Sequence, residues 1–90
     1  MTPIRWTTEA AAQLESIVSR IRKDNPESAR VVAQTILDRV AELQEFPAIG
    51  RPGERKGTRE LVCPPYVIVY RLHKDVAEII HIWHGAQDWR

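Results

Sequence analysis

The chain has little that would staple or anchor a small protein. Its 90 residues include one cysteine, Cys63, which excludes an internal disulfide and makes a reducing compartment the default. Cys63 lies in an apolar run beside Pro64, where a thiol acts as a small hydrophobe. No apolar stretch approaches the ~20 residues of a membrane span, and Met1-Thr2-Pro3-Ile4-Arg5-Trp6 lacks the apolar core of a signal peptide. The expectation is a cytoplasmic protein with no membrane partner. Net charge is scarce too, at +1, so global electrostatics name no ligand. Aromatics make up 7% of the chain. None falls among the cations between Arg51 and Arg59, which argues against a stacking platform for single-stranded nucleic acid. A chain of this length makes one domain, 1–90, that buries roughly 60–65% of its unfolded surface.

Hydrophobic periodicity supplies the architecture. Ile4–Trp6 is β-compatible. Thr7 or Thr8 can cap a helix whose apolar stripe is Ala11, Leu14, Ile17, Val18 and Ile21. Asn25-Pro26 stops it and starts a second helix, because Asn caps well and Pro is tolerated at the first helical position. The second stripe runs Ala29, Val32, Ala33, Ile36, Val40, Leu43 and Phe46, up to Pro47. So short a connection forces an antiparallel hairpin. Pro47–Gly57 is rich in Pro and Gly and reads as a mobile or ligand-facing connection on the surface. Arg59–Cys63, Tyr66–Leu72 and Val76–His84 then form an antiparallel meander with a turn at His73-Lys74-Asp75. The fold class expected is α+β in two layers, a strand, a helical hairpin and a three-stranded antiparallel meander.

Strict alternation places Tyr66, Ile68, Tyr70 and Leu72 on one face of the middle strand. It places Val76, Glu78, Ile80, Ile82 and His84 on one face of the last. Both sheet faces then read as largely apolar, one for the helices and one inviting a partner. Trp6, Trp83 and Trp89 read as core or edge-of-core residues.

For chemistry, the candidates are few. His81 and His84 sit three apart on a strand and point to opposite faces, so no metal site is expected, and no motif calls for a cofactor. His84 ends its strand, and with Arg59 and Arg71 it offers the residue types of an RNA-cleaving site: a base near neutral pKa and cations for a phosphate. The alternative is a terminal histidine beside ordinary surface arginines. Arg51, Arg55, Lys56 and Arg59, against Glu54 alone, form a local cationic run, either a solvated loop or a target-binding surface.

Four segments together resemble the RelE/ParE toxin superfamily: Ile49-Gly50-Arg51-Pro52-Gly53, Gly57-Thr58-Arg59-Glu60-Leu61, Tyr66-Val67-Ile68-Val69-Tyr70-Arg71 and His84-Gly85-Ala86-Gln87-Asp88-Trp89. The resemblance covers essentially the whole chain. It implies the toxin of a bacterial type II toxin–antitoxin pair, held inactive by a cognate antitoxin. ParE-like members poison DNA gyrase; RelE-like members cut mRNA on the ribosome. In the nuclease branch Arg59 and His84 fall on positions that matter. Gly85 stands where some nucleases carry tyrosine, and the loop has a single lysine, Lys56. Both departures favour the ParE-like branch. A domain that only binds its antitoxin is the third class.

Overall fold

The computed structural model describes residues 1–85; of the expectations above, Trp89 and the segment beyond Gly85 lie outside them. Short polar side chains set the helix ends. Thr7 Oγ1 accepts from the Ala10 N–H at 3.1 Å and caps α1 (Thr8–Asp24). Its hydroxyl and its own N–H both donate to the Ile79 carbonyl, at 2.9 and 3.0 Å, and so tie the helix start to the sheet. Asn25 does double duty: its N–H closes α1 on Ile21, and its Oδ1 accepts from Ser28 to cap α2 (Pro26–Ala41). The hairpin is therefore set by one residue whose side chain satisfies a helix N-terminus.

The second helix is shorter than its apolar stripe implies. It yields at Glu42 to a 3₁₀ turn, Glu42–Gln44, whose three residues per turn shift the periodicity. Leu43 stays buried, but Phe46 is 59% exposed, which corrects its assignment to the core. Pro47 supplies the reason, since the residue before proline is pushed out of the helical region. On α1 the buried alanine is Ala10, while Ala11 is exposed.

The sheet has five strands in the order β1-β5-β4-β3-β2: β1 (Ile4–Trp6), β2 (Arg51–Pro52), β3 (Arg59–Cys63), β4 (Tyr66–His73) and β5 (Val76–His84). All neighbours are antiparallel except β1, which runs parallel to β5. β2 is an addition to the expected strands, a two-residue edge that accommodates Pro52 because its outer side needs no ladder hydrogen bond. Lys74 and Asp75 both have positive φ, 50° and 65°, the conformation of a two-residue hairpin turn that matches strand twist.

Alternation along β5 breaks at a bulge. Tyr70 pairs with Ile79 but Val69 pairs with His81, which leaves Ile80 without an opposite residue. Ile79 and Ile82 consequently both enter the core with Ile68, Tyr70 and Ala77, which corrects the reading of Val76 through His84 as one uninterrupted face. This is the face packed on the helices, against Ala10, Ile36, Val40 and Leu43.

The opposite face is less apolar than expected. Beside the buried Val67 and Val69 it holds two buried carboxylates, Glu60 and Glu78. Arg51 bridges Glu60 at 3.0 Å, while Arg71 and Arg5 both bridge Glu78, Arg71 at 2.7 Å. Buried charges persist only where paired, and here each partner comes from a neighbouring strand. Trp6 packs against the core and Trp83 is half-buried. No helix among the described residues is long and apolar enough to cross a membrane.

Candidate functional site

The cationic loop is built in two parts. Its base, Pro47–Arg51, has almost no secondary structure of its own, so side chains from the sheet must satisfy its backbone polar groups. Tyr70, completely buried on β4, provides a hydroxyl that accepts from the Gly50 N–H at 2.9 Å and donates to the Pro47 carbonyl at 2.8 Å. Arg59 Nη1 donates to the carbonyls of Ala48 at 3.2 Å and Gly50 at 2.8 Å. Gly50 is required by this close approach: a β-carbon there would stand 2.6 Å from Tyr70 Cε1 and 3.0 Å from the Glu60 carbonyl. Burial pushes the Tyr70 hydroxyl up from its ordinary pKa, outweighing the Gly50 N–H and the charges of Arg59 and Arg39. It stays protonated and able to donate.

Beyond β2 the chain turns through the tip. The Gly53 N–H donates to the Thr58 carbonyl at 2.8 Å, and Thr58 returns its N–H and hydroxyl to the Arg55 carbonyl, at 3.1 and 2.6 Å. Gly57 takes φ +86°, a left-handed conformation that suits glycine. The side chains of Arg55 and Lys56 are exposed here. Of the residues expected to bind a target, then, Arg55 and Lys56 are exposed at the tip. Arg51 is engaged with Glu60 and Arg59 with the loop's own carbonyls.

The candidate nuclease residues are not brought together. Arg71 pairs across the ladder with Glu78, and Arg59 with Tyr70, which itself faces Ile79. These positions lie roughly 16–20 Å from His84 along the strand direction, at ~3.3 Å per residue. Arg71 is further committed through Nε to Glu78. His84 instead pairs with Tyr66, the rings meeting edge to face at 5.6 Å. The two rings help line an open cleft of about 540 Å³ with Gln13, Arg20 and His81. Although His81 and His84 read as facing opposite ways, both border this cleft. Gln13 Nε2 stands 2.8 Å from His81 Nδ1 and donates to it, while Gln13 Oε1 accepts from the Ile82 N–H, replacing β1 where that strand ends. Burial pushes the Cys63 thiol up, as suits a packed, unreactive cysteine.

Sequence reasoning passed over Tyr70, Gly50, Glu60 and Glu78 as working parts. The available signal was a carboxylate inside each of two apolar strands, since Asp and Glu are almost never buried unless paired.

A separate groove of about 450 Å³, largely apolar, runs over the hairpin between Trp6, Leu14, Val18, Ala33 and Leu37. Exposed Val31 and Leu37 extend the apolar surface of α2.

Comparison with known proteins gives one consistent result. The family described as ParE toxin of type II toxin-antitoxin system, parDE, matches residues 4–89. "Putative toxin Y4kP" of Sinorhizobium fredii is 47% identical over 88 residues, 96% of this chain and 91% of that protein. "Toxin RelE2" of Caulobacter vibrioides is 31% identical over 87 residues, 97% of this chain and 99% of its own. Among solved structures, the chromosomal ParDE system from P. aeruginosa aligns with a TM-score of 0.83 at 30% identity, covering 93% of this chain and 96% of that one. The toxin–antitoxin complex RelBE2 from Mycobacterium tuberculosis, at TM-score 0.68 and 21% identity over 92% of this chain and 96% of that one, shares the fold.

Proposed function

The chain belongs to the ParE toxin family of type II toxin–antitoxin systems, and from that premise we propose that it acts as a ParE-like inhibitor of DNA gyrase without cleaving RNA itself, silenced by a cognate antitoxin. One observation carries the choice of mechanism: His84 stands at the far end of the ladder from Arg59 and Arg71, whose guanidinium groups already hold the loop base and Glu78. General-base cleavage needs the base within hydrogen-bond reach of its proton and cations beside the phosphate. Binding a protein target needs only an exposed, oriented surface, and Arg55 and Lys56 offer one. The antitoxin is a short protein whose largely disordered tail folds over the apolar groove of the hairpin and the sheet, as coupled folding lets a tail wrap a large surface.

A second reading has an observation of its own. His84 shares its cleft with Arg20, so a RelE-like nuclease on the ribosome would draw its base and one cation from there. Purified protein assayed against gyrase supercoiling and against mRNA on translating ribosomes separates the two. The gyrase reading expects blocked supercoiling, intact mRNA and a His84→Gln variant that keeps most toxicity. Under the nuclease reading mRNA is cut, and loss of the base lowers the rate by roughly 100- to 10,000-fold.

A further inference from the structure

We propose that Tyr70 and Arg59 are positioning residues: from the middle of the sheet they latch the base of the cationic loop and so aim Arg55 and Lys56 at the toxin's target. The nature of that target rests on the gyrase reading above; the latch does not.

The loop leaves the 3₁₀ turn after Gln44 and regains regular structure only at the two-residue β2, which among the described residues pairs with Arg59 and Glu60 alone. A tip carried on so short a ladder would pivot about β2. Two side chains remove that freedom. Between them they satisfy the Pro47 and Ala48 carbonyls and both backbone groups of Gly50. Each reaches across the fold: Tyr70 acts over 20 and 23 residues, and Arg59 over 9 and 11. The Tyr70 ring alone would fill the core, as phenylalanine does. Its hydroxyl spends both of its bonds on the loop, and Arg59 gives one nitrogen to two loop carbonyls where a nearby carboxylate, Glu60, is left to Arg51. Cations held in place before encounter lose less conformational freedom on binding, so fixing the base raises affinity through residues that need not touch the target.

The test uses the full chain and three variants: Tyr70→Phe, Arg55→Ala/Lys56→Ala, and the two combined. Hydrogen exchange at the Gly50 amide should quicken about tenfold in Tyr70→Phe, the scale of one lost hydrogen bond. Trypsin should cut faster at Arg55 and Lys56, and gyrase inhibition should weaken about tenfold. The combined variant should inhibit no less than Arg55→Ala/Lys56→Ala alone, because a latch has nothing to aim once the tip is bare. Unchanged exchange at Gly50 overturns the proposal. So does faster exchange with undiminished inhibition, or a Tyr70→Phe loss that adds in full to the tip variant, which marks a merely structural role. If Tyr70→Phe does not fold, Arg59→Gln carries the trypsin, inhibition and non-additivity readings; the Gly50 amide keeps its Tyr70 partner in that variant, so its exchange is not the measure there. If the wild type leaves gyrase untouched, the gyrase reading fails by itself. The latch is then judged by exchange and by the same non-additivity in growth arrest on induced expression.

Discussion

Within one loop the same residue types serve opposite ends. At its base Arg51, and beside it Arg59 from β3, bond within the fold, one to the buried carboxylate of Glu60 and the other to the carbonyls of Ala48 and Gly50. At its tip, a few residues away, Arg55 and Lys56 are exposed within the Gly53–Thr58 turn. The difference lies in what each cation faces. A base cation faces acceptors that the fold holds in place, the buried Glu60 carboxylate and the carbonyl of buried Gly50 among them. The tip cations stand on a turn closed by its own backbone and by Thr58. Counting positive charge along this stretch therefore does not tell the two sets apart; their exposure and the acceptors held in the fold do. Base substitutions should act on stability first, and tip substitutions on function alone.

The largest expected effect is at the most crowded point of the base. Gly50→Ala puts a methyl group against the Tyr70 ring and the Glu60 carbonyl. The ring is fully buried and the carbonyl belongs to the sheet, so neither yields cheaply. Overpacking of this kind costs about 1–3 kcal/mol, and the upper half of that range is expected as a fall in the urea midpoint. A variant as stable as the wild type would mean the base is loosely packed.

Next comes Tyr70→Phe, which keeps the ring and leaves the Gly50 N–H and Pro47 carbonyl without their partner. Leaving such groups unsatisfied costs about 1–3 kcal/mol; because Pro47 is only half-buried, the lower half is expected. The same residue gives the account a pH signature. Burial raises the folded-state pKa of Tyr70, so the neutral hydroxyl is favoured by folding. Its contribution is fully present below the unfolded value, about 10, and is lost as pH rises through the folded value. Denaturant titrations above pH ~10 should show the wild type losing stability faster than Tyr70→Phe. Parallel alkaline profiles would contradict the latch geometry.

Arg51→Ala should cost less, about 1 kcal/mol. The buried Glu60 loses its guanidinium partner, but the Arg51 side chain is 59% exposed, and solvent screens a pair of that kind. Chemical denaturation measures it. A neutral result would return Arg51 to the target-binding surface that the sequence suggested.

How far the fold could be read depended on how local its causes are. Thr7, Asn25 and Pro26 act within one turn, and they place both helix starts and the hairpin. The β5 bulge was hidden because Ile79 and Ile80 are both apolar, so an extra residue leaves the hydrophobic pattern unbroken while shifting every later side chain. Phe46 looked like a continuation of α2 because helical periodicity cannot register a change to 3₁₀ geometry. The pairs Arg51–Glu60 and Arg71–Glu78 needed the strand register, and the Tyr70 latch joins residues 20 or more positions apart. No short window along the sequence contains both ends of the Tyr70 bonds. His84 was legible as the end of a strand; its separation from Arg59 and Arg71 was not, since it follows from which residues face each other across the ladder.

The division between base and tip is tested most directly by Arg55→Ala/Lys56→Ala, measured for melting temperature and for inhibition of gyrase supercoiling. Exposed substitutions away from special features change stability by under ~0.5 kcal/mol, which for a domain of this size is a shift of roughly 2–4 °C or less. That small shift is expected together with a loss of inhibition. A large fall in melting temperature, or inhibition that survives intact, would contradict it.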